Sequence, residues 1–157
     1  MGDVHRLMQP PPSFGLHAAG RLMTQVFPPW VQDLALLVES VEPVRPQGAP
    51  ADWQPGATVR LPFSKKICSD GVAVCSQALM ALADTAMVIA CSAAWNGYRP
   101  MSTIDQTTHF LRPVNFDIVA DARVVRIGRN TSFGRVMLLH AADRRPVGMV
   151  ASAYSMM

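Results

Sequence analysis

The sequence predicts an α+β domain in which an antiparallel sheet of about six strands wraps around one long central helix. Three observations predict it. From Ser76 to about Trp95 the chain reads SQALMALADTAMVIACSAAW, rich in Ala, Leu and Met and free of Gly and Pro, which is a helix-forming composition. That segment is apolar almost all round, the pattern of a helix buried on most sides. Two strand-like runs precede it and four follow with no further helix signal, so hairpins join the last strands without crossovers.

Residues 1–29 read as an N-terminal arm with a short helix, and residues 30–157 as the main domain. Residues 1–15 are Pro-rich and expected to be loose, with His5 among them. The helix covers His17–Phe27 and stops at Pro28-Pro29. Ala35–Val44 is the first strand, and the prolines and glycine of 45–55 make a loop. Thr58–Cys68 is the second strand, with Pro62 marking an edge or a bulge. Asn96-Gly97 ends the central helix. The remaining strands are Met101–Leu111, Ile118–Ile127, Phe133–His140 and Pro146–Ser155. Simple alternation in Met101–Leu111 sets Ile104, Gln106, Thr108 and Phe110 on one face and Thr103, Asp105, Thr107 and His109 on the other.

Composition narrows the function. The 157 residues are 50% hydrophobic and 16% charged, enough apolar content for a sizeable core and too little charge for a disordered chain. The net charge is +3, and no basic block exceeds two residues, so nucleic acid is not the expected partner. Twelve of the 14 basic residues are Arg, which suits bidentate grips on a phosphorylated small molecule. Cys68, Cys75 and Cys91 are odd in number and fit no zinc template, so no metal and no disulfide framework is expected. The first residues lack the apolar run of a signal peptide, and the stretch Ala78–Ala90 is short for a bilayer. A cytoplasmic protein without membrane contact is the expectation.

The element order, with three sets of residues in it, resembles the hot-dog fold, and more narrowly the PaaI-type thioesterases that hydrolyse acyl-CoA. Ala81-Leu82-Ala83-Asp84-Thr85-Ala86 matches the family's apolar pair before Asp-Thr-Ala. Ser102-Thr103-Ile104-Asp105, leading to His109-Phe110-Leu111-Arg112-Pro113, matches a family strand with its Phe-Leu-Arg-Pro end. Ala122–Arg129 is the third landmark. The similarity spans about residues 30–157. It departs at the start of the helix, where the family's His-Gly-Gly is Cys75-Ser76-Gln77, and a frequent Asn falls on Ser69. The resemblance implies an acyl-CoA substrate, no cofactor beyond the coenzyme A moiety of that substrate, and a composite site between subunits of a homodimer or a dimer of dimers.

Thioester hydrolysis needs a stabilised oxyanion and an attacking water or carboxylate. The free N–H groups near Ser76 and Gln77, with the positive end of the helix dipole, suit the first task. Asp84 is the candidate general base or nucleophile, with Thr103 to orient it or hold the water. The same carboxylate would otherwise be a buried anchor that satisfies a neighbour or fixes subunit register. Asp84 lies eight residues beyond Ser76, roughly 12 Å along the helix axis. One chain's carboxylate therefore cannot serve a carbonyl held at its own helix start. Ser76 is the candidate N-cap, and Cys75, at the same helix start, is expected to be an inert thiol. Arg112, Arg126 and Arg129, with Asn130, are candidates for the phosphates of coenzyme A. Met80, Met87, Trp95 and Phe110 are core residues first and pocket residues second. His17, His109 and His140 fit no catalytic order. The alternative function is a non-hydrolytic acyl-CoA-binding hot-dog protein; a hot-dog dehydratase or hydratase lacks a His near the helix start.

Overall fold

Alternating small and β-branched residues give the C-terminal half its strands, and the buried member of each pair faces one helix. The computed structural model describes residues 13–157. In order come α1 (Leu16–Gln25), α2 (Pro29–Gln32), β1 (Leu37–Glu42), β2 (Gly56–Leu61), β3 (Cys68–Ser69), β4 (Ala73–Val74) and α3 (Ser76–Ala94). After these follow β5 (Met101–Phe110), β6 (Ile118–Ile127), β7 (Thr131–His140) and β8 (Pro146–Met156). Six strands form one sheet in the order β1-β2-β6-β7-β8-β5, every neighbouring pair antiparallel. This is the predicted fold class. The expected second strand is shorter than its apolar run, because beyond Pro62 the chain turns through a 3-10 segment at Lys65–Ile67 into the small β3–β4 hairpin.

α3 packs against the sheet, and Leu82, Ala86, Met87, Ile89, Ala90 and Cys91 are fully buried there. Its length and mean hydropathy of 1.5 would suffice for a bilayer span, yet 78% of that stretch is buried inside the sheet. At Gly134 on β7 the strand leaves no room for a side chain beneath α3. A Cβ there would press into the Sδ and Cε of Met87 and sit 3.2 Å from the Arg123 carbonyl oxygen. The helix ends in a Schellman motif, with Asn96 in the left-handed region at φ 57°. The Asn96 N–H donates to the Ala93 carbonyl at 3.0 Å, and the Gly97 N–H to Ser92 at 2.8 Å.

The Asn96 side chain also ties down the N-terminal segment. Its Oδ1 accepts the Phe14 N–H at 2.6 Å, and Phe14 is buried. Ala19 and Leu22 of α1 enter the same core as α3. So Phe14 is docked rather than loose, because a large ring finds both an apolar bed and a backbone partner. The expectation for residues 1–12, His5 included, lies outside the described residues. On the outer face, Arg123 reaches across Gly56 to grip both oxygens of Glu42, at 2.6 and 3.1 Å. Gly56 lies opposite Glu42 on one side and Arg123 on the other.

Candidate active site

The one open stripe on α3 is Gln77, Met80, Ala81 and Asp84, spaced at one and two helical turns, and from Thr85 to Ala93 every residue is buried. Asp84 is thus the last position at which the helix meets a groove. It is half-buried. Its Oδ1 accepts two hydrogen bonds, one from Thr103 Oγ1 at 2.9 Å and one from Tyr154 Oη at 2.9 Å. Thr103 and Tyr154 sit directly opposite each other on β5 and β8, so their side chains share a face of the sheet. Burial, and then the nearby Asp84 charge, push the Tyr154 phenol far above its ordinary range, which keeps it a donor.

A bulge shapes the groove wall. The β5–β8 register shifts between Thr103 and Asp105, leaving Ile104 as an extra, exposed residue. Thr103 and Gln106 consequently face α3 together, and Gln106 Nε2 donates to the Met80 carbonyl at 3.0 Å. Simple alternation placed them on opposite faces; the bulge reverses the phase. The groove holds about 430 Å3 and is lined by Trp30, Gln77, Met80, Ala81, Asp84, Thr103 and Gln106. Trp30 comes from α2 and is 59% exposed.

The other expected site residues fall elsewhere. Ser76 and Arg112 line a second pocket of about 370 Å3 at the start of α3, with Val74, Leu79, Phe110 and Pro113. The N-cap is Cys75, not Ser76, and it makes no side-chain cap bond; Ser76 is already inside the helix because Cys75 takes the extended backbone at ψ 151°. Ser69 is exposed on the β3–β4 hairpin and itself lines neither pocket, although Val74 of the same hairpin lines the one at the helix start. Arg129 and Asn130 are exposed at the β6–β7 turn, and Arg126 is exposed just before it. That turn lies at the Met101 end of β5, because the Asn130 carbonyl accepts the Met156 N–H and Met156 pairs with Met101.

The remaining candidates have structural roles. Cys91 is buried, and burial pushes its thiol up to about 12. Cys68 and Cys75 are half-buried free thiols. His140 Nδ1 accepts the backbone N–H groups of Ala142 and Asp143 at 3.1 and 3.4 Å, and its ring packs against Phe116 at a tilt of 50°. Met87 is core, Trp95 carries the Arg99 guanidinium on its ring, and Phe110 lines the helix-start pocket. Among the described residues, no group of three or more His, Cys, Asp or Glu could hold a metal ion.

Sequence reasoning missed Tyr154, Gln106 and Trp30. The signal for Tyr154 was present: it is one of two tyrosines, set in an apolar strand, and a buried phenol needs a partner for its hydroxyl.

The chain has the hot-dog fold, and its central stretch is thioesterase-like in sequence: the thioesterase superfamily profile matches residues 78–147. Solved structures of the same fold include PaaI proteins. The PaaI protein from the phenylacetic acid degradation operon of E. coli superposes with a TM-score of 0.71 at 18% identity, covering 90% of this chain and 95% of that one. A conserved protein from Pseudomonas aeruginosa gives 0.70 at 20% identity, covering 85% and 98%. A variant of the phenylacetic acid degradation protein PaaI from Thermus thermophilus gives 0.65 at 20% identity, covering 83% and 100%. No curated protein matches the sequence significantly.

Proposed function

We propose that the chain hydrolyses acyl-CoA thioesters at a site shared between two copies of itself. The observation that carries this reading is the Asp84 carboxylate, half-buried at the open face of an otherwise enclosed helix and gripped on one oxygen by two hydroxyls. A carboxylate held in place yet open to a groove is arranged to take a proton or to attack. In the general-base route, water gives a proton to Asp84 while its oxygen adds to the thioester carbonyl carbon. The carbonyl oxygen gains the negative charge, which free N–H groups at the start of α3 stabilise. The C–S bond then breaks, and the thiolate takes the proton from Asp84. The products are a free acid and coenzyme A. In the nucleophilic route Asp84 itself adds to the carbonyl, the thiolate leaves, and water hydrolyses the resulting anhydride.

The layout of the single chain supports a shared site. Ser76 and Asp84 open to different pockets. β5 is an edge strand, exposed over most of its length; Thr103 and Phe110 on it are roughly 23 Å apart, and Arg112 lies just beyond its end. Two copies pairing β5 antiparallel about a two-fold axis would continue the sheet. One copy's helix start and Arg112 would then approach the other's Asp84, Thr103, Arg129 and Asn130. Arginines contributed from both sides would grip the phosphates of coenzyme A. A homodimer, or a dimer of such dimers, satisfies this geometry.

One feature favours a second reading. Ser76 and Gln77 carry side chains where the PaaI pattern has glycines, and these narrow the approach to the backbone N–H groups. A protein that binds acyl-CoA without cleaving it would tolerate that. Release of free thiol from short, medium, long and aryl acyl-CoAs separates the two. Turnover of any member supports the hydrolase; retention of the panel without release makes the protein a binding module.

A further inference from the structure

We infer that Tyr154 is a positioning residue for Asp84, holding Oδ1 so that Oδ2 is the oxygen that works in the groove. The inference rests on the reading of Asp84 as base or nucleophile. Both bonds to the carboxylate converge on Oδ1, and among the described residues none is made to Oδ2. An oxygen that accepts two hydroxyl protons has its lone pairs engaged and its share of the charge stabilised. The unbonded oxygen keeps its lone pairs for a water or a carbonyl carbon.

The two donors are not equivalent. Thr103 is exposed, on an edge strand and beside the Ile104 bulge. Tyr154 is 1% exposed, on a strand paired on both sides. The phenol is therefore the rigid support and Thr103 the adjustable one. A tyrosine in this core is costly unless its hydroxyl is partnered, and a phenylalanine would fill nearly the same space. Its proton is also secure, since burial and the adjacent carboxylate both disfavour the phenolate. Tyr154 therefore acts as a fixed donor and not as a proton carrier.

The test is Tyr154→Phe, alone and combined with Asp84→Asn, on whichever acyl-CoA is turned over. Tyr154→Phe is expected to lower kcat by about tenfold with KM within about twofold, and to change the residual turnover of Asp84→Asn no further. Val150→Ala, a buried change on the same strand, is expected to lower the unfolding midpoint while leaving kcat intact. Unchanged kcat in Tyr154→Phe, or an equal further loss in the Asp84→Asn background, overturns the inference while leaving Asp84 as base. Full turnover in Asp84→Asn overturns the underlying reading instead. Unfolding midpoints of wild type, Tyr154→Phe, Asp84→Asn and the double variant read the pair without turnover: non-additive midpoints support the phenol–carboxylate bond, and additive ones overturn it.

Discussion

Replacing Gly134 by Ala should push α3 off the sheet where Met87 lies over β7. The added methyl has no room: it presses into the thioether end of Met87, which is fully buried, and approaches the Arg123 carbonyl oxygen to 3.2 Å. A flexible side-chain tip can move more easily than backbone, yet Met87 is fully enclosed, so any new rotamer displaces packed neighbours. Overpacking of this kind costs about 1–3 kcal/mol. The stiffer unfolded chain returns about 0.4–1 kcal/mol, since alanine has fewer conformations to lose than glycine. A net loss of roughly 1–2 kcal/mol follows, or roughly 2–8 °C in Tm for a domain of this size. Thermal unfolding followed by circular dichroism is the assay. The double variant Gly134→Ala/Met87→Val should recover part of the loss, because the shorter side chain vacates the space the methyl needs. Because Met87 lies three residues beyond Asp84 on the same helix, turnover should fall along with stability. A Tm equal to or above wild type in Gly134→Ala, or strictly additive effects in the double variant, would refute this account of how the helix is seated.

Two further outcomes follow from the structure. Cys75→Ser supplies the side-chain oxygen that the α3 N-cap lacks, and should stabilise the fold by about 0.5–1 kcal/mol in a urea titration. Stability should decline as pH rises from 9 toward 12: the unfolded chain ionises Cys91 near its ordinary value of 9.0, while burial keeps the folded thiol protonated to about 12. The folded state then binds more protons than the unfolded one, so the unfolding free energy falls with pH. Cys91→Ala should show a shallower decline over that window, the buried Tyr154 phenol contributing the remainder in the same direction.

The helix and the four last strands were legible because their patterns are long and uninterrupted. Thirteen of the nineteen residues of α3 are buried, which matches an all-round apolar run. Asn96-Gly97 announced a stop that the Schellman bonds then provide. The strand after Gly56 was harder to read, since the apolar run Thr58–Cys68 continues past the end of pairing at Leu61. The site was legible in part. Asp84 stood out as a lone charge in an apolar helix, and Thr103 was placed beside it by resemblance. The facing of Gln106 and the partner of Tyr154 were not readable, for different reasons. A bulge inserts one residue into a period of two, and no composition marks where, so Gln106 was assigned to the wrong face. Tyr154 reaches Asp84 across 70 positions of sequence, a contact set by the pairing of β5 with β8 rather than by any local pattern.

The proposed hydrolysis depends on Asp84 as the group that opens the thioester. The most direct test measures kcat for thiol release by wild type and by Asp84→Asn, with folding and oligomeric state matched. The expected result is a loss of about two or more orders of magnitude in the variant. Equal turnover in the two proteins would contradict it and leave Asp84 as a structural anchor between helix and sheet.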